Sequence, residues 1–144
     1  MTRLEKLYDI ASYKGISFFN FSMPLCSSVS VKQGERCYIA IDEGKLPTTE
    51  EKAVTVAHEL GHCATNSFYA PNDSERTRRR CEKRADEWAI KMLVPFSAFM
   101  SAYKNGCREA WEFAEELGVT YSFAEKAMLF YREKFCSFFA KKGI

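Results

Sequence analysis

His58 and His62 lie four residues apart and are the only two histidines in the chain. Four residues span a little over one helical turn, so both imidazoles stand on one face, about 40° apart around the axis. Imidazoles placed in this way can bind one metal ion, and we expect zinc because it accepts nitrogen and oxygen ligands in tetrahedral geometry. Glu59 lies beside them, within reach of a metal-bound water, and is the predicted catalytic base. The spacing can arise by chance, but here it falls on a capped helix and predicts metal-assisted hydrolysis.

A catalytic zinc needs a third protein ligand if its fourth position is to stay open for water. Glu82 follows His62 by twenty residues and shares one face of the next predicted helix with Asp86. A carboxylate on an otherwise burying face needs a partner, and a zinc ion would supply one. Asp86 is placed to accept the remaining N–H of a ligating histidine and to fix its tautomer. The alternative is that both carboxylates pair with Arg78 or Arg79 on their own helix.

Two helices must position these groups. Thr48 and Glu51 resemble a capping box that opens a helix running to about Thr65. Turn-forming residues at 71–74 cap a second helix, which Pro95 stops. We predict further helices at 3–14, 96–104, 107–117 and 121–140, and strands at 16–21, 28–32 and 37–41.

Strands that precede helices predict an α+β fold. At 144 residues the chain fits one domain, residues 1–144, with a helix and sheet over 1–47, active-site and ligand helices over 48–94 and C-terminal helices over 95–144. The net charge of +2 gives no global argument for nucleic-acid or membrane binding. The amino terminus lacks a signal-peptide core, and no uncharged apolar run could cross a bilayer, so we expect a soluble cytoplasmic protein.

Six cysteines are scattered singly along the chain, with no Cys-x-x-Cys pair. Without a secretion signal, we interpret them as reduced and mostly buried small apolar residues. A zinc site made of cysteines is the rival interpretation, but the usual knuckle spacing is missing.

Four segments carry a family resemblance, which runs from the strands before Pro47 to about Tyr131. They are similar to the ImmA/IrrE family of metallopeptidases, many of which are encoded in prophages and mobile elements of bacteria. The segments are Ala57-His-Glu-Leu-Gly-His62, Ser67-Phe-Tyr69, Glu82-Lys-Arg-Ala-Asp-Glu-Trp-Ala-Ile90 with Leu93-Val-Pro95, and Trp111-Glu-Phe-Ala-Glu-Glu-Leu-Gly-Val119.

The resemblance implies a gluzincin-like site in which Glu82 joins the two histidines as a zinc ligand. It also implies site-specific cleavage of a helix-turn-helix repressor, which would switch on prophage or mobile-element genes, with this chain as the peptidase alone. By analogy with related zinc peptidases, the strand 37–41 is expected to present an edge to an extended substrate. The donor for the developing oxyanion is expected to be a tyrosine, and Tyr38, Tyr69 and Tyr103 remain open.

Three other interpretations of the sequence concern its function, its basic run and a helix-turn-helix pattern. The protein could be a non-catalytic zinc-containing anti-repressor that acts by binding its partner, although Glu59 would then have no task. The basic run at 76–84 is either a solvated helix face or a docking surface for an acidic partner or DNA. Residues 110–131 scan like a helix-turn-helix, but the second helix offers few basic side chains at its start, so no direct nucleic-acid binding is expected.

Overall fold

The computed structural model describes residues 1–136, and within them it confirms the α+β class. A small three-stranded sheet comes first, and the chain beyond it is mostly helical. Residues 137–140 of the last predicted helix lie outside the described part. The elements are α1 (Arg3–Tyr13), β1 (Ser17–Asn20), β2 (Ser28–Gln33), β3 (Arg36–Ile41), a 3₁₀ turn (Glu43–Lys45), α2 (Thr49–Thr65), α3 (Glu75–Leu93), α4 (Phe96–Lys104), α5 (Ala110–Leu117) and α6 (Tyr121–Lys134).

The sheet has the order β1-β3-β2. β1 runs parallel to β3, with Ser17 opposite Tyr38, and β2 runs antiparallel to β3, with Ser28 opposite Ile41. β3 is therefore paired on both sides, and the prediction that residues 37–41 offer a free edge was wrong. Within residues 1–136 the free edges belong to β1 and β2. The prediction failed because a run of apolar residues reports burial but not the position of a strand within a sheet.

One face of the sheet packs against α2. Ile39 and Ile41 alternate along β3 toward this face, and they are 0% and 3% exposed. Val56 and Leu60 supply the opposing surface from α2 and are equally buried. Burying an aliphatic side chain of this size contributes about 1.5–3 kcal/mol each, so this layer fixes α2 against the strands.

Local signals define the ends of the two central helices. The Thr48 hydroxyl accepts a hydrogen bond from the backbone N–H of Glu51 at 3.0 Å, which is the Thr48 half of the predicted capping box and caps α2. α2 ends at Thr65 and is followed by Asn66, whose φ of 53° is the left-handed conformation common after a helix. Ser74 caps the start of α3 by accepting from the N–H of Thr77.

α2 and α3 approach each other closely at Gly61. A Cβ atom at this position would lie 2.4 Å from the carbonyl oxygen of Ala85. Only glycine permits that distance, so Gly61 sets the separation of the two helices. Ala85 lies three residues after Glu82 on α3, and the close approach therefore brings Glu82 toward the histidines of α2.

The described chain forms two compact units, Met1–Ala89 and the part from Ile90 onward. The first contains the sheet, α1, α2 and most of α3. In the second, Phe99 stacks on Phe113 with ring centroids 4.7 Å apart, and the Tyr131 hydroxyl donates to the Val94 carbonyl. The single domain expected over 1–144 stays a prediction.

All six cysteines are free thiols, but the prediction that most are buried was wrong. Cys107 alone among them is buried, while Cys26 and Cys136 are exposed. Cys37, Cys63 and Cys81 lie within β3, α2 and α3 and are half-buried. A residue count does not report which face of a strand or helix a cysteine occupies. Among residues 1–136, no helix is both long enough and apolar enough to cross a membrane.

Candidate metal centre

Three predicted ligands converge between α2 and α3. Oε1 of Glu82 lies 3.5 Å from Nε2 of His58, and Oε2 lies 2.5 Å from Nε2 of His62. One candidate ligand atom from each residue falls within 4.8 Å of the others. Glu82 therefore faces the histidines, whereas the basic side chain of Arg79 lies 4.0 Å from Glu75. The three residues lie together, and their role as metal ligands stays a prediction.

The opposite nitrogen of each histidine is held by a protein acceptor. Nδ1 of His62 lies 2.6 Å from the backbone carbonyl oxygen of Ser67, which can only accept, so His62 must carry its proton on Nδ1. Nδ1 of His58 lies 2.8 Å from Oδ1 of Asp86, the residue that the sequence predicted as the partner of one ligating histidine. In the neutral state both Nε2 atoms therefore present a lone pair toward Glu82, which is the form that binds a metal ion.

The pKa values of the two histidines and of Glu82 are all shifted toward the charged forms of these side chains. Burial alone would lower the pKa of His58, but hydrogen bonds to Asp86 and Glu82 outweigh it and raise this pKa to about 10. Burial would also lower the pKa of His62, but the close approach of Glu82 and the hydrogen bond to the Ser67 carbonyl outweigh it and raise this pKa. The close approach of His58, and then of His62, holds the pKa of Glu82 well below its ordinary value. The site thus favours positive charge, which protons or a bound cation can supply.

The surroundings of Oε2 of Glu82 indicate whether a metal ion fits this site. Oε2 of Glu82 is inaccessible to solvent and receives no hydrogen bond of acceptable geometry, although His62 is close to it. A buried carboxylate oxygen without a donor is costly, and coordination to a cation would satisfy it. Two imidazole nitrogens and one carboxylate oxygen form a donor set that suits zinc. The residues present therefore fit the ion that the sequence predicted.

Glu59 lies next to the ligands but makes a different contact. It is 7% exposed and belongs to the buried side of α2. Its Oε2 accepts a hydrogen bond of 2.6 Å from the hydroxyl of Ser28, the first residue of β2. The predicted base is therefore hydrogen-bonded to the sheet. His58 is instead hydrogen-bonded to Asp86 of α3, and His62 to Ser67 in the segment after α2.

A cleft of about 570 Å³ lies over this cluster. One wall is β2, whose outer edge is unpaired within the described residues, and the other comes from the segment around Phe68 and Tyr69. A free strand edge can hold an extended peptide by main-chain hydrogen bonds. The lining residues are Ser28, Val29, Ser30, Val31, Lys32, His58, Glu59, His62, Phe68, Tyr69, Ala70, Asp73 and Glu82.

Tyr69 is the candidate oxyanion donor that borders the cleft. Its ring centroid lies 6.4 Å from that of His62, and the Arg78 guanidinium lies 5.5 Å from the Tyr69 ring. Burial and the charge of Glu82 raise the pKa of Tyr69, so its hydroxyl keeps the proton it would donate. Tyr38 instead stacks on Phe19, and it does not line the cleft.

Two contributors were missed in the sequence. Ser67 acts through its backbone carbonyl, which no side-chain pattern reports, although its place just after the helix end was a usable signal. Ser28 is a polar residue on a strand, and only the pairing of β2 with β3 brings it to Glu59.

The family model for the IrrE N-terminal-like domain matches residues 20–129. The matched segment contains every residue of the cluster and of the cleft wall. The family is one of metallopeptidases. No curated protein matches the chain.

Proposed function

Because the chain belongs to the IrrE N-terminal-like family of peptidases, we propose that it is a zinc-dependent endopeptidase. His58, His62 and Glu82 hold the ion, and Glu59 is the catalytic base. The observation that carries the proposal is the pair of histidines whose Nδ1 atoms are engaged by Asp86 and Ser67 while their Nε2 atoms converge on one carboxylate. Such ordered tautomers support metal binding rather than a general polar core.

A zinc ion held by these residues supplies Lewis-acid activation of water and of the scissile carbonyl group. The free edge of β2 binds the substrate as an extended strand and aligns the scissile bond with the cluster. Glu59 accepts a proton from the attacking water and delivers it to the leaving amine, a contribution worth about 10²–10⁴ in rate. The Tyr69 hydroxyl donates a hydrogen bond to the oxygen on which negative charge develops.

The proposed substrate is a helix-turn-helix repressor encoded near this gene, which the peptidase meets in the cytoplasm and inactivates. The resemblance of the motif segments to prophage and mobile-element peptidases supports this assignment. Cleavage would release the genes that the repressor silences. The peptidase family supports the coarser conclusion that the substrate is a protein.

The direct experiment is to incubate the zinc-loaded chain with the repressor from the adjacent gene and to identify fragments by mass spectrometry. We expect cleavage at one site, and its loss when a zinc chelator is added. Glu59→Gln is the matched control, since it should retain zinc but lose cleavage. His58→Ala should lose stoichiometric zinc.

Two results would contradict the proposal. Full activity of Glu59→Gln would remove Glu59 from the mechanism, and full zinc content in His58→Ala would remove the metal site. A stable complex with intact repressor would instead favour an anti-repressor that acts by binding.

A further inference from the structure

The contact between Ser28 and Glu59 joins two elements that are distant in the sequence. The Ser28 hydroxyl donates to Oε2 of Glu59 over 2.6 Å, a length typical of an O–H donor bound to an ionised carboxylate. It is the one hydrogen bond to this carboxylate among residues 1–136. Since Glu59 is buried and its side chain has three rotatable bonds, this contact selects one orientation of the carboxylate.

Ser28 itself is fixed by the sheet. It pairs with Ile41, which is 3% exposed, and the preceding carbonyl of Ser27 accepts from the backbone N–H of Asp42 at 2.8 Å. The hydroxyl is thus presented from a paired strand end and not from a loop. Groups held by regular structure keep catalytic side chains in place more accurately than groups on loops.

We propose that Ser28 is a positioning residue, which holds Oε2 of Glu59 so that Oε1 remains the oxygen that exchanges protons with water and the leaving amine. The proposal rests on the proposed peptidase function and adds a role for β2. This strand is a wall of the cleft and also supports the base, so the substrate and Glu59 are aligned by the same element.

The first test measures the contact without requiring activity. Urea unfolding of the zinc-loaded chain is compared for wild type, Ser28→Ala, Glu59→Met and the double variant. Glu59→Met keeps the length of the side chain but removes the acceptor. If Ser28 bonds a charged carboxylate, the change in the unfolding equilibrium constant of the double variant should differ about tenfold or more from the product of the two single changes. A double-variant effect within about twofold of that product would overturn the proposal.

The second test measures the effect on turnover, with dye-labelled casein as the probe substrate. Ser28→Ala should lower kcat about 10–100-fold, with KM and bound zinc within twofold of wild type. Ser28→Thr, which retains a hydroxyl, should restore most of kcat. Ser27→Ala is the matched control, because Ser27 does not line the cleft, and it should behave as wild type.

The outcomes separate the two proposals. If wild type binds zinc but cleaves neither casein nor the repressor, the peptidase function fails, while the unfolding cycle still decides the Ser28–Glu59 contact. An unchanged kcat in Ser28→Ala, or a Ser28→Thr variant as slow as alanine, would overturn the positioning role alone.

Discussion

Replacing Gly61 by alanine should push α2 away from α3 and weaken metal binding. The added Cβ would meet the carbonyl oxygen of Ala85 at 2.4 Å and its Cα at 2.9 Å. Ordinary contact begins at 3.4 Å, so the two backbones must separate by about 1 Å. No rotamer change can relieve the overlap, because the atoms in contact belong to the backbone of α3.

The size of the effect follows from two opposing contributions. Overpacking of this kind costs about 1–3 kcal/mol of the free energy of unfolding. Alanine in a helix interior would otherwise add about 1 kcal/mol relative to glycine, so the net change is a loss of about 0–2 kcal/mol. Ligand distances in metal sites tolerate only about 0.2 Å, and a shift of Glu82 with α3 should therefore lower zinc affinity by at least about tenfold.

The assay is zinc competition with a chromogenic chelator, together with urea unfolding followed by circular dichroism. Gly44→Ala is the matched control, since its added Cβ would meet only the Asp42 carboxylate at 3.4 Å. That variant should keep the wild-type affinity and stability. If Gly61→Ala binds zinc as tightly as wild type and unfolds at the same urea concentration, the close approach of the helices does not set the geometry of the site.

Asp86→Ala should lower zinc affinity about 10–100-fold in the same competition assay, because it removes the acceptor that orients His58. Glu87→Ala is the neighbouring control, and an Asp86→Ala affinity equal to that of this control would contradict the prediction. Tyr69→Phe should lower kcat on casein about 10²–10³-fold with bound zinc unchanged, and Tyr38→Phe should not. In the metal-free fold the pKa of His58 is raised from 6.5 to about 10, so its protonation stabilises that fold fully below about pH 6.5, and the contribution is lost as the pH rises through about 10. Zinc binding at pH 7.5 should therefore release about one proton or more. Calorimetry in two buffers of different ionisation heat measures this number, and no proton release would contradict a protonated His58.

Features carried by one helix were accessible from the sequence. The four-residue spacing put His58 and His62 on one face, and Thr48 marked the start of their helix within one residue. The order of strands before helices gave the α+β class, which the structure confirms. These inferences needed only helical periodicity and local hydrogen bonding, which depend on neighbours in the chain.

Features created by pairing between elements were not accessible. The central position of β3 depends on which strands find each other, and an apolar strand pattern is compatible with several orders. The hydrogen bond from Ser28 follows from that order, so it could not be foreseen either. Gly61 stood within the motif, but its proximity to Ala85 depends on how α3 crosses α2, which residue types alone do not determine.

The sheet order also bears on how the chain folds. β2 and β3 are joined by a two-residue turn at Gly34, whose φ of 63° suits glycine. β1 instead pairs with β3 across the whole of residues 21–35, a stretch that includes β2 itself. Loop-closure entropy favours the short hairpin first, and the parallel pairing of β1 completes the sheet later. The hairpin contains Ser28 and the free edge, while β1 contributes nothing to the cleft. The part of the sheet that loop-closure entropy favours first is thus the part that shapes the cleft.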